Sequence, residues 1–363
     1  MSDPVSVTEA ALLARDQESQ PWQQAFVAML SGPLTREQLI DRVTERIGYA
    51  PRFRRLVTGW PLPTWVDDVG FSVGGHVREA TLAPGERLES WLSAKLQSGL
   101  DRAHSPWEAT LVHGIAPGTT ALVVRTHAAL VDGYDNVHLL QELFDEYAED
   151  ITDVDDAWQP SAAEAFGVAD VLSGLNDPLQ ALKSAATGLV GMVENAVRTA
   201  SATARPQHLA GVEVDLDALA AVRERFGCTT HDVILALATA GVRGWMVEHN
   251  RELVDQVALV PLAVAEPAVL ESAIGCRVAP SWVALPIGVA DAADRLRTLA
   301  TLTRARIDTG VSVPARDLID LAGFAPPTLH SVASGTVAAG RPHSVMVTNV
   351  PGPATRRYLG RAR

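Results

Sequence analysis

Cysteine and long hydrophobic runs are both scarce in this sequence. Its 363 residues include two cysteines, Cys228 and Cys276, which excludes a disulfide scaffold and a zinc ribbon and suits a reducing compartment such as the cytosol. A membrane-spanning helix needs about 20 mostly apolar residues in succession, and no stretch approaches that length. Residues 1–16 contain Asp3 and Glu9 and no apolar run, so we expect no signal peptide.

Positive charge is scarce as well. The chain has 30 Lys and Arg against 43 Asp and Glu, which gives a formal net charge of −13. Because an acidic surface repels phosphate backbones, we expect no nucleic-acid partner. Hydrophobic residues make up 47% of the chain and charged residues 20%, a composition typical of globular proteins that excludes disorder of the whole chain.

Helical and strand patterns are mixed through both halves of the chain. Thr35 and Gln38 have the spacing of a capping box, and Pro117 and Gly118 indicate a turn between two short strands. We predict helices over 36–47, 87–100, 134–147, 215–226, 233–240 and 291–307, and strands over 109–112, 121–126, 256–264, 278–289 and 343–349. The mixture indicates an α/β protein with two comparable domains.

An acidic stretch over 149–156, followed by Pro160, gives the predicted domain boundary. We therefore expect an N-terminal domain over 1–150, a helical connecting segment over 151–208 and a C-terminal domain over 209–363. The apolar positions of the connecting segment pack against the protein or, as in a surface amphipathic helix, face lipid.

The segment over 121–133 has the strongest chemical content. A predicted strand ends at His127, where an imidazole at the rim of a sheet can face a cleft and exchange protons near neutral pH. Asp132 can accept backbone N–H groups at the start of the next helix or join a buried ion pair. Gly133 lets another chain or a ligand approach closely.

This segment resembles the His-His-x-x-x-Asp-Gly signature of the bacterial wax ester synthase/acyl-CoA:diacylglycerol acyltransferase family, within the CoA-dependent acyltransferase superfamily. His127, Asp132 and Gly133 match the first histidine, the aspartate and the glycine. Five further segments resemble elements of that family in the family's order, and together they span residues 45 to 353. They are 51–54, 71–78, 100–108, 230–233 and 349–353.

The resemblance implies a two-domain fold of mixed sheets and helices, with a tunnel at the domain interface. Acyl-CoA enters from one side as a co-substrate, with no tightly bound cofactor and no metal, and diacylglycerol or a long-chain alcohol enters from the other. In the family, the second histidine takes the proton of the acceptor hydroxyl, and the aspartate orients the loop. The implied substrate-binding residues are Arg54, Asp232, Asn349, Pro351 and Gly352.

Two features depart from the family pattern. Ala128 occupies the position of the catalytic second histidine. Adjacent residues on an extended strand point to opposite faces, so His127 does not simply replace the base, whose loss typically costs about 10²–10⁴-fold in rate. The chain also ends soon after Asn349, so we expect an incomplete C-terminal domain, explained by a truncated gene, a degenerate copy or a partner chain.

Three functions follow from these observations. We favour an O-acyltransferase that makes triacylglycerol or wax esters. The second is a catalytically silent relative that binds acyl chains or pairs with an active paralogue. The third is a condensation-type acyltransferase acting on carrier-protein thioesters, which the motifs around the signature disfavour. For either lipid function we expect a cytoplasmic protein that contacts the inner membrane surface or lipid bodies.

Each candidate residue also has a structural interpretation. His127 and Asp132 can be structural residues of a strand end and a helix start. Asp232 can be a helix cap, and Asn349 can be a turn former before Pro-Gly-Pro. Arg54 belongs either to a solvated basic face or to a contact with the phosphates of CoA or of an anionic lipid.

Overall fold

The computed structural model shows helices and strands in both halves of the chain. The structure describes residues 3–5, 9, 12–13, 16, 21–32, 34–59, 63–131, 143–145, 158–161, 208–263, 278–308, 344–349 and 356–359. The helices are α1 (Arg36–Arg46), α2 (Val73–His76), α3 (Leu88–Leu96), α4 (Leu216–Phe226), α5 (Thr230–Glu248) and α6 (Ala292–Asp308). The strands are β1 (Asp3–Pro4), β2 (Gln23–Ser31), β3 (Arg55–Thr58), β4 (Thr64–Asp67), β5 (Val77–Thr81), β6 (Trp107–Ala116), β7 (Thr119–His127), β8 (Gln256–Ala263), β9 (Val278–Leu285) and β10 (Val345–Met346).

The strands form three sheets. The first is antiparallel with the order β1-β4-β3. The second has the order β2-β7-β6-β5, in which β5 and β6 are parallel and the other pairs are antiparallel. The third has the order β10-β8-β9, with β10 parallel and β9 antiparallel to β8. Mixed sheets with helices agree with the predicted α/β class.

Strand β7 of the four-stranded sheet is covered on both faces. Leu122 and Val124 on β7 belong to a core that includes Leu39 of α1. Val123, between them, belongs to a second core with Leu92 of α3. Because both faces are buried, β7 has a continuous apolar run instead of the alternation of a half-exposed strand.

Several elements predicted from local signals are confirmed. Thr35 caps α1 in a capping box, in which its hydroxyl oxygen accepts the Gln38 backbone N–H and the Gln38 Oε1 accepts the Thr35 backbone N–H. Pro117 and Gly118 connect β6 to β7, and Gly118 has a φ of +71°, which a side chain would disfavour. The predicted helices over 36–47, 215–226 and 291–307 and the predicted strand over 256–264 match α1, α4, α6 and β8 to within one residue at each end. The other strands and helices predicted within the described residues differ in length.

Two of these differences have a cause that the structure shows. The predicted strand over 278–289 ends at Leu285, before Pro286, which has no N–H for a sheet ladder. Most of the predicted helix over 134–147 lies outside the described residues, but its described part, 143–145, is not helical. The backbone of Asp145 is bonded to a distant segment instead, so helix over that part is a wrong prediction.

That distant segment is the C-terminal end of the described chain. The Asp145 N–H donates to the Tyr358 carbonyl over 2.7 Å, and the Tyr358 N–H donates back over 2.9 Å. The Asp145 carboxylate is buried against the guanidinium groups of Arg42 and Arg46 of α1. Leu359 is completely buried in the core that holds Leu39 and Val124. Residues 358–359 therefore pack against the first half of the chain.

The second half has its own core. Leu235 of α5, Ala258 of β8, Leu285 of β9 and Leu299 of α6 pack together in it. The predicted domain boundary near residue 150 and nearly all of the predicted connecting segment lie outside the described residues, so these boundaries remain predictions. Of the helices that the structure describes, none combines the length and apolar character needed to cross a bilayer.

The burial of Leu359 predicts a stability effect. We expect Leu359→Ala to lower the free energy of unfolding by about 2–5 kcal/mol, because it removes a completely buried side chain and leaves a cavity. Leu216→Ala is the matched control, since Leu216 is 77% exposed, and its effect should stay within about 0.5 kcal/mol. Urea unfolding followed by tryptophan fluorescence measures both. Equal effects would contradict the placement of residue 359 in the core.

Candidate functional site

The segment that matches the family signature begins where β7 ends. At this end of the four-stranded sheet, called here the signature end, β7 terminates while β2, β5 and β6 begin. Gln23 pairs with His127, Trp107 pairs with Thr126, and His76 lies immediately before β5. The sheet therefore brings together side chains from four separate parts of the sequence.

Residues 128–131, called here the signature loop, are held by hydrogen bonds at each step. The Ala128 N–H donates to the Trp22 carbonyl over 2.9 Å, and the Leu130 N–H donates to the His127 carbonyl over 2.9 Å. The Gln24 side-chain amide donates to the carbonyl of the last residue of the loop over 2.7 Å. The loop is therefore fixed to the start of β2 and to the end of β7.

Burial distinguishes residue 128 from the rest of the signature loop. Residues 129–131 are completely buried in the core beneath the sheet. Ala128 is half-buried. The loop thus holds one position, that of the family's catalytic histidine, partly open to its surroundings.

The His127 side chain is committed to contacts within the protein. It is 2% exposed, and its Nδ1 accepts the Ala129 N–H over 3.0 Å. A neutral imidazole carries one proton, so this bond places the proton on Nε2. Nε2 lies 3.5 Å from Oδ2 of Asp16, a distance long for a hydrogen bond, so the attraction is mainly electrostatic. In this conformation His127 offers no free lone pair to a substrate hydroxyl.

Two residues of this arrangement escape sequence reasoning, Asp16 and Gln24. Asp16 is ten per cent exposed and accepts the Trp22 N–H over 2.7 Å. Burial raises the pKa of Asp16, but its contacts with His127 and the Trp22 amide outweigh burial and hold the pKa below the ordinary carboxyl value. Neither residue stands in a recognisable spacing, and both are revealed by contacts in the folded structure.

A buried aromatic stack lies beside the signature end. The ring of His76 stacks on Trp107 at 4.5 Å and on Phe71 at 5.1 Å between ring centroids. Its Nδ1 donates to the Trp107 carbonyl over 2.9 Å. Burial lowers the pKa of His76, although the Trp107 carbonyl and the charge of Asp68 oppose the shift. His76 is therefore uncharged at neutral pH. It is the last residue of α2, and its ring contributes to packing.

Arg54 is buried, so its predicted membership of a solvated basic face is wrong. It is 2% exposed, and its guanidinium lies 4.7 Å from the ring centre of Trp158, within the range of a cation–π contact. Arg52, two residues earlier, forms an ion pair with buried Glu9. Both arginines therefore have partners within the protein. The predicted role of Arg54 in substrate binding remains a prediction.

Asp232 is the third residue of α5, where it completes the capping box of the N-cap residue Thr229, and it also links α5 to α6. Its Oδ2 accepts the Thr229 N–H and the Thr229 hydroxyl, each over 2.8 Å, and its Oδ1 accepts the Thr303 hydroxyl over 2.6 Å. Burial raises the pKa of Asp232, but these bonds outweigh burial and lower the pKa below the ordinary value. Both oxygens already have partners within the chain, and substrate binding by Asp232 remains a prediction.

The structure describes only one of the remaining candidate site residues. Asn349 is exposed just beyond β10. Asp132, Gly133, Pro351 and Gly352 lie outside the described residues, so their roles remain predictions. Within the part of the chain that the structure describes, no three His, Cys, Asp or Glu side chains are grouped as metal ligands.

Comparison with solved structures identifies the fold. The wax ester synthase/diacylglycerol acyltransferase from Marinobacter aquaeolei VT8 matches with a TM-score of 0.62 and 21% identity, over 99% of this chain and 84% of that one. The first condensation domain of the calcium-dependent antibiotic synthetase, in complex with a substrate analogue, matches with a TM-score of 0.57 and 13% identity, over 100% and 84%. The fold is therefore the two-domain fold of CoA-dependent acyltransferases, as predicted.

Comparison of sequences identifies the family. Residues 2–210 match the wax ester synthase/diacylglycerol acyltransferase catalytic domain. The chain belongs to this family. A relative from Mycobacterium tuberculosis that bears the name of a diacylglycerol O-acyltransferase is 25% identical, over 98% of this chain and 78% of its own length. A similarly named Mycobacterium bovis relative is 25% identical over 92% and 79%. The resemblance inferred from the motifs is confirmed.

The capping role of Asp232 predicts a pH-dependent loss of stability. We expect Asp232→Asn to lower the free energy of unfolding at pH 7 by about 1–3 kcal/mol, because it removes a charged acceptor of buried hydrogen bonds. The lowered pKa means that the ionised carboxylate stabilises the fold above its ordinary pKa of about 4 and stops doing so as the pH falls through the folded-state value. The difference in unfolding free energy between Asp232→Asn and the parent should therefore decrease below about pH 4.

Urea unfolding between pH 3 and pH 8 measures this difference. Asp217→Asn is the control, since Asp217 is an exposed acid in the first turn of α4, and it should change little. Weaker palmitoyl-CoA binding by Asp232→Asn, with unchanged stability, would contradict the capping role and favour substrate binding.

Proposed function

We propose that this chain transfers a fatty acyl group from acyl-CoA to the hydroxyl of diacylglycerol or of a long-chain alcohol. Membership of the family supports the reaction class. The observation that carries the proposal is the signature loop, in which residues 129–131 are buried while residue 128 remains half-buried at the end of β7. A rigid support of this kind suits a group that must be positioned for catalysis.

The chemistry requires one proton to be moved. The acceptor oxygen forms a new C–O bond with the thioester carbonyl carbon, the C–S bond breaks, and the CoA thiolate takes up a proton. A base at residue 128 would remove the proton from the acceptor hydroxyl, and Ala128 has no group that can do so. Because Nδ1 of His127 accepts the Ala129 N–H and its Nε2 is buried beside Asp16, we propose that turnover by this chain rests on positioning and is slow.

Apolar space near the signature end supports a hydrocarbon substrate. A cavity of about 60 Å³ lies between α1 and the four-stranded sheet. Most of its lining is apolar, including Ile47, Phe53, Trp107 and Val124. Its volume is a fraction of that of a fatty acyl chain, so we propose that it takes no more than the end of one.

A silent acyl-binding protein is the second candidate. It is favoured by Ala128 and by the internal contacts of His127, which leave the described part of the signature without a free base. Such a protein would bind acyl-CoA and support an active paralogue. The condensation-type function draws support from the fold likeness alone, while the family match opposes it.

We further propose contact with a lipid surface, on the inner face of the membrane or on lipid bodies, or with a protein partner that packs on the C-terminal half. Exposed apolar side chains in that half support such a contact. Among them, Val212 is 87% exposed, Leu216 is 77% exposed and Trp245 is 52% exposed. A contact with lipid or with a protein would remove apolar side chains such as these from water.

Release of CoA thiol tests the proposed reaction. Purified parent, Ala128→His and Ala128→Gln are each given palmitoyl-CoA with diacylglycerol or hexadecanol. We expect Ala128→His to exceed the parent by about 10²-fold or more, because it restores a general base at a supported position. Ala128→Gln is the matched control, since it adds a side chain of similar reach that cannot take the proton, and it should resemble the parent.

The alternatives give different results. Equal turnover by all three proteins would show that another residue supplies the base and that Ala128 is not the cause of slow turnover. No thiol release from any of the three, with folded protein that still binds palmitoyl-CoA, would reject the acyltransferase and favour the silent binding protein.

A further inference from the structure

Asp16 lies outside every motif of the sequence, yet its carboxylate contacts three segments at the signature end. Oδ1 accepts the Trp22 N–H over 2.7 Å. Oδ2 lies 3.4 Å from Nη1 of Arg102 and 3.5 Å from Nε2 of His127. The carboxylate thus joins the N-terminal segment to the start of β2, to the block over 100–108 and to the end of β7.

The contact with His127 bears on which ring nitrogen carries the proton. A carboxylate beside Nε2 attracts an N–H group and repels a lone pair, so it favours the tautomer protonated on Nε2. That tautomer leaves Nδ1 bare, and only a bare Nδ1 can accept the Ala129 N–H, as it does over 3.0 Å. If the proton moved to Nδ1, the Nδ1–H group would face the Ala129 N–H group, and no hydrogen bond could form between them.

Asp16 therefore acts on both sides of residue 128. On one side, His127 holds the amide of Ala129. On the other, Trp22, whose N–H is bound by Asp16, accepts the Ala128 N–H at its carbonyl over 2.9 Å. The direction of the side chain at residue 128 depends on these two bonds, because they fix the backbone before and after its Cα.

We propose that Asp16 is a positioning residue that fixes the tautomer of His127 and, through it, the backbone of residues 128–129. Its effect on rate rests on the proposed acyl transfer, whereas its effect on the tautomer does not. The contacts with His127 and the Trp22 amide keep the pKa of Asp16 low against the opposing effect of burial, so the carboxylate is charged at neutral pH.

Nitrogen-15 NMR of the histidine rings tests the tautomer directly. The chain has ten histidines, and His127→Gln identifies the signals of His127. At pH 7.5 we expect the parent to show His127 protonated on Nε2, and Asp16→Asn to show a mixture with Nδ1. Asp101→Asn is the matched control, since Asp101 is exposed in the segment that holds Arg102, and it should match the parent. Circular dichroism verifies that each variant is folded.

Two outcomes of this measurement would overturn the proposal. One is a parent in which His127 is protonated on Nδ1, which needs no variant and so stands even if Asp16→Asn fails to fold. The other is a folded Asp16→Asn that keeps the tautomer of the parent.

Kinetics in the Ala128→His background test the effect on catalysis. We expect Asp16→Asn to lower kcat by about tenfold or more, with KM within about twofold, because a misplaced base loses orientation while substrate binding is retained. A purely structural role would lower the amount of folded enzyme and leave kcat per folded molecule unchanged. If Ala128→His itself releases no thiol, the proposed reaction fails, and the tautomer measurement still decides the role of Asp16.

Discussion

The pairing of β7 with both β2 and β6 is the constraint on which the candidate site depends. Nine consecutive residue pairs join β7 to β2, and they end with Gln23 opposite His127. A slip by one residue would exchange the two faces of the strand, moving Arg125 from its 2.9 Å contact with Glu108 into the opposite core. Because both faces are buried, the register is strongly fixed, and so is the point at which the signature loop begins.

Burial of arginine is the second constraint. In a chain with a net charge of −13, Arg42, Arg54 and Arg125 are each less than 10% exposed. Removing one partner of a buried ion pair leaves an uncompensated charge, which costs several kcal/mol. These side chains are therefore held in place by the fold. Arg54 is buried with its guanidinium beside the Trp158 ring, and this position supports a structural role.

Sequence reasoning succeeded where the signal is local and failed where the partner is distant. The capping box of α1 and the turn at Gly118 depend on residues a few positions apart. By contrast, Asp145 was assigned to a helix, and its backbone bonds go to Tyr358, more than two hundred residues away. The contact of Asp16 with His127 has the same character, since it joins residues far apart in the chain and has no signal in the spacing of the motif.

Retention of the signature loop does not by itself indicate catalysis. Residues 129–131 are completely buried, so their identities contribute to the stability of the core, and a protein without activity would keep them for that reason. The hydrogen bond between His127 and the Ala129 N–H also stabilises the loop, so a protein without activity would keep it for the same reason. Residue 128 is different because its half-buried side chain has little to contribute to the core. The alanine at this position is therefore the residue on which the choice between the two proposed functions depends, because its replacement by histidine changes the chemistry of the loop and leaves the buried residues 129–131 unchanged.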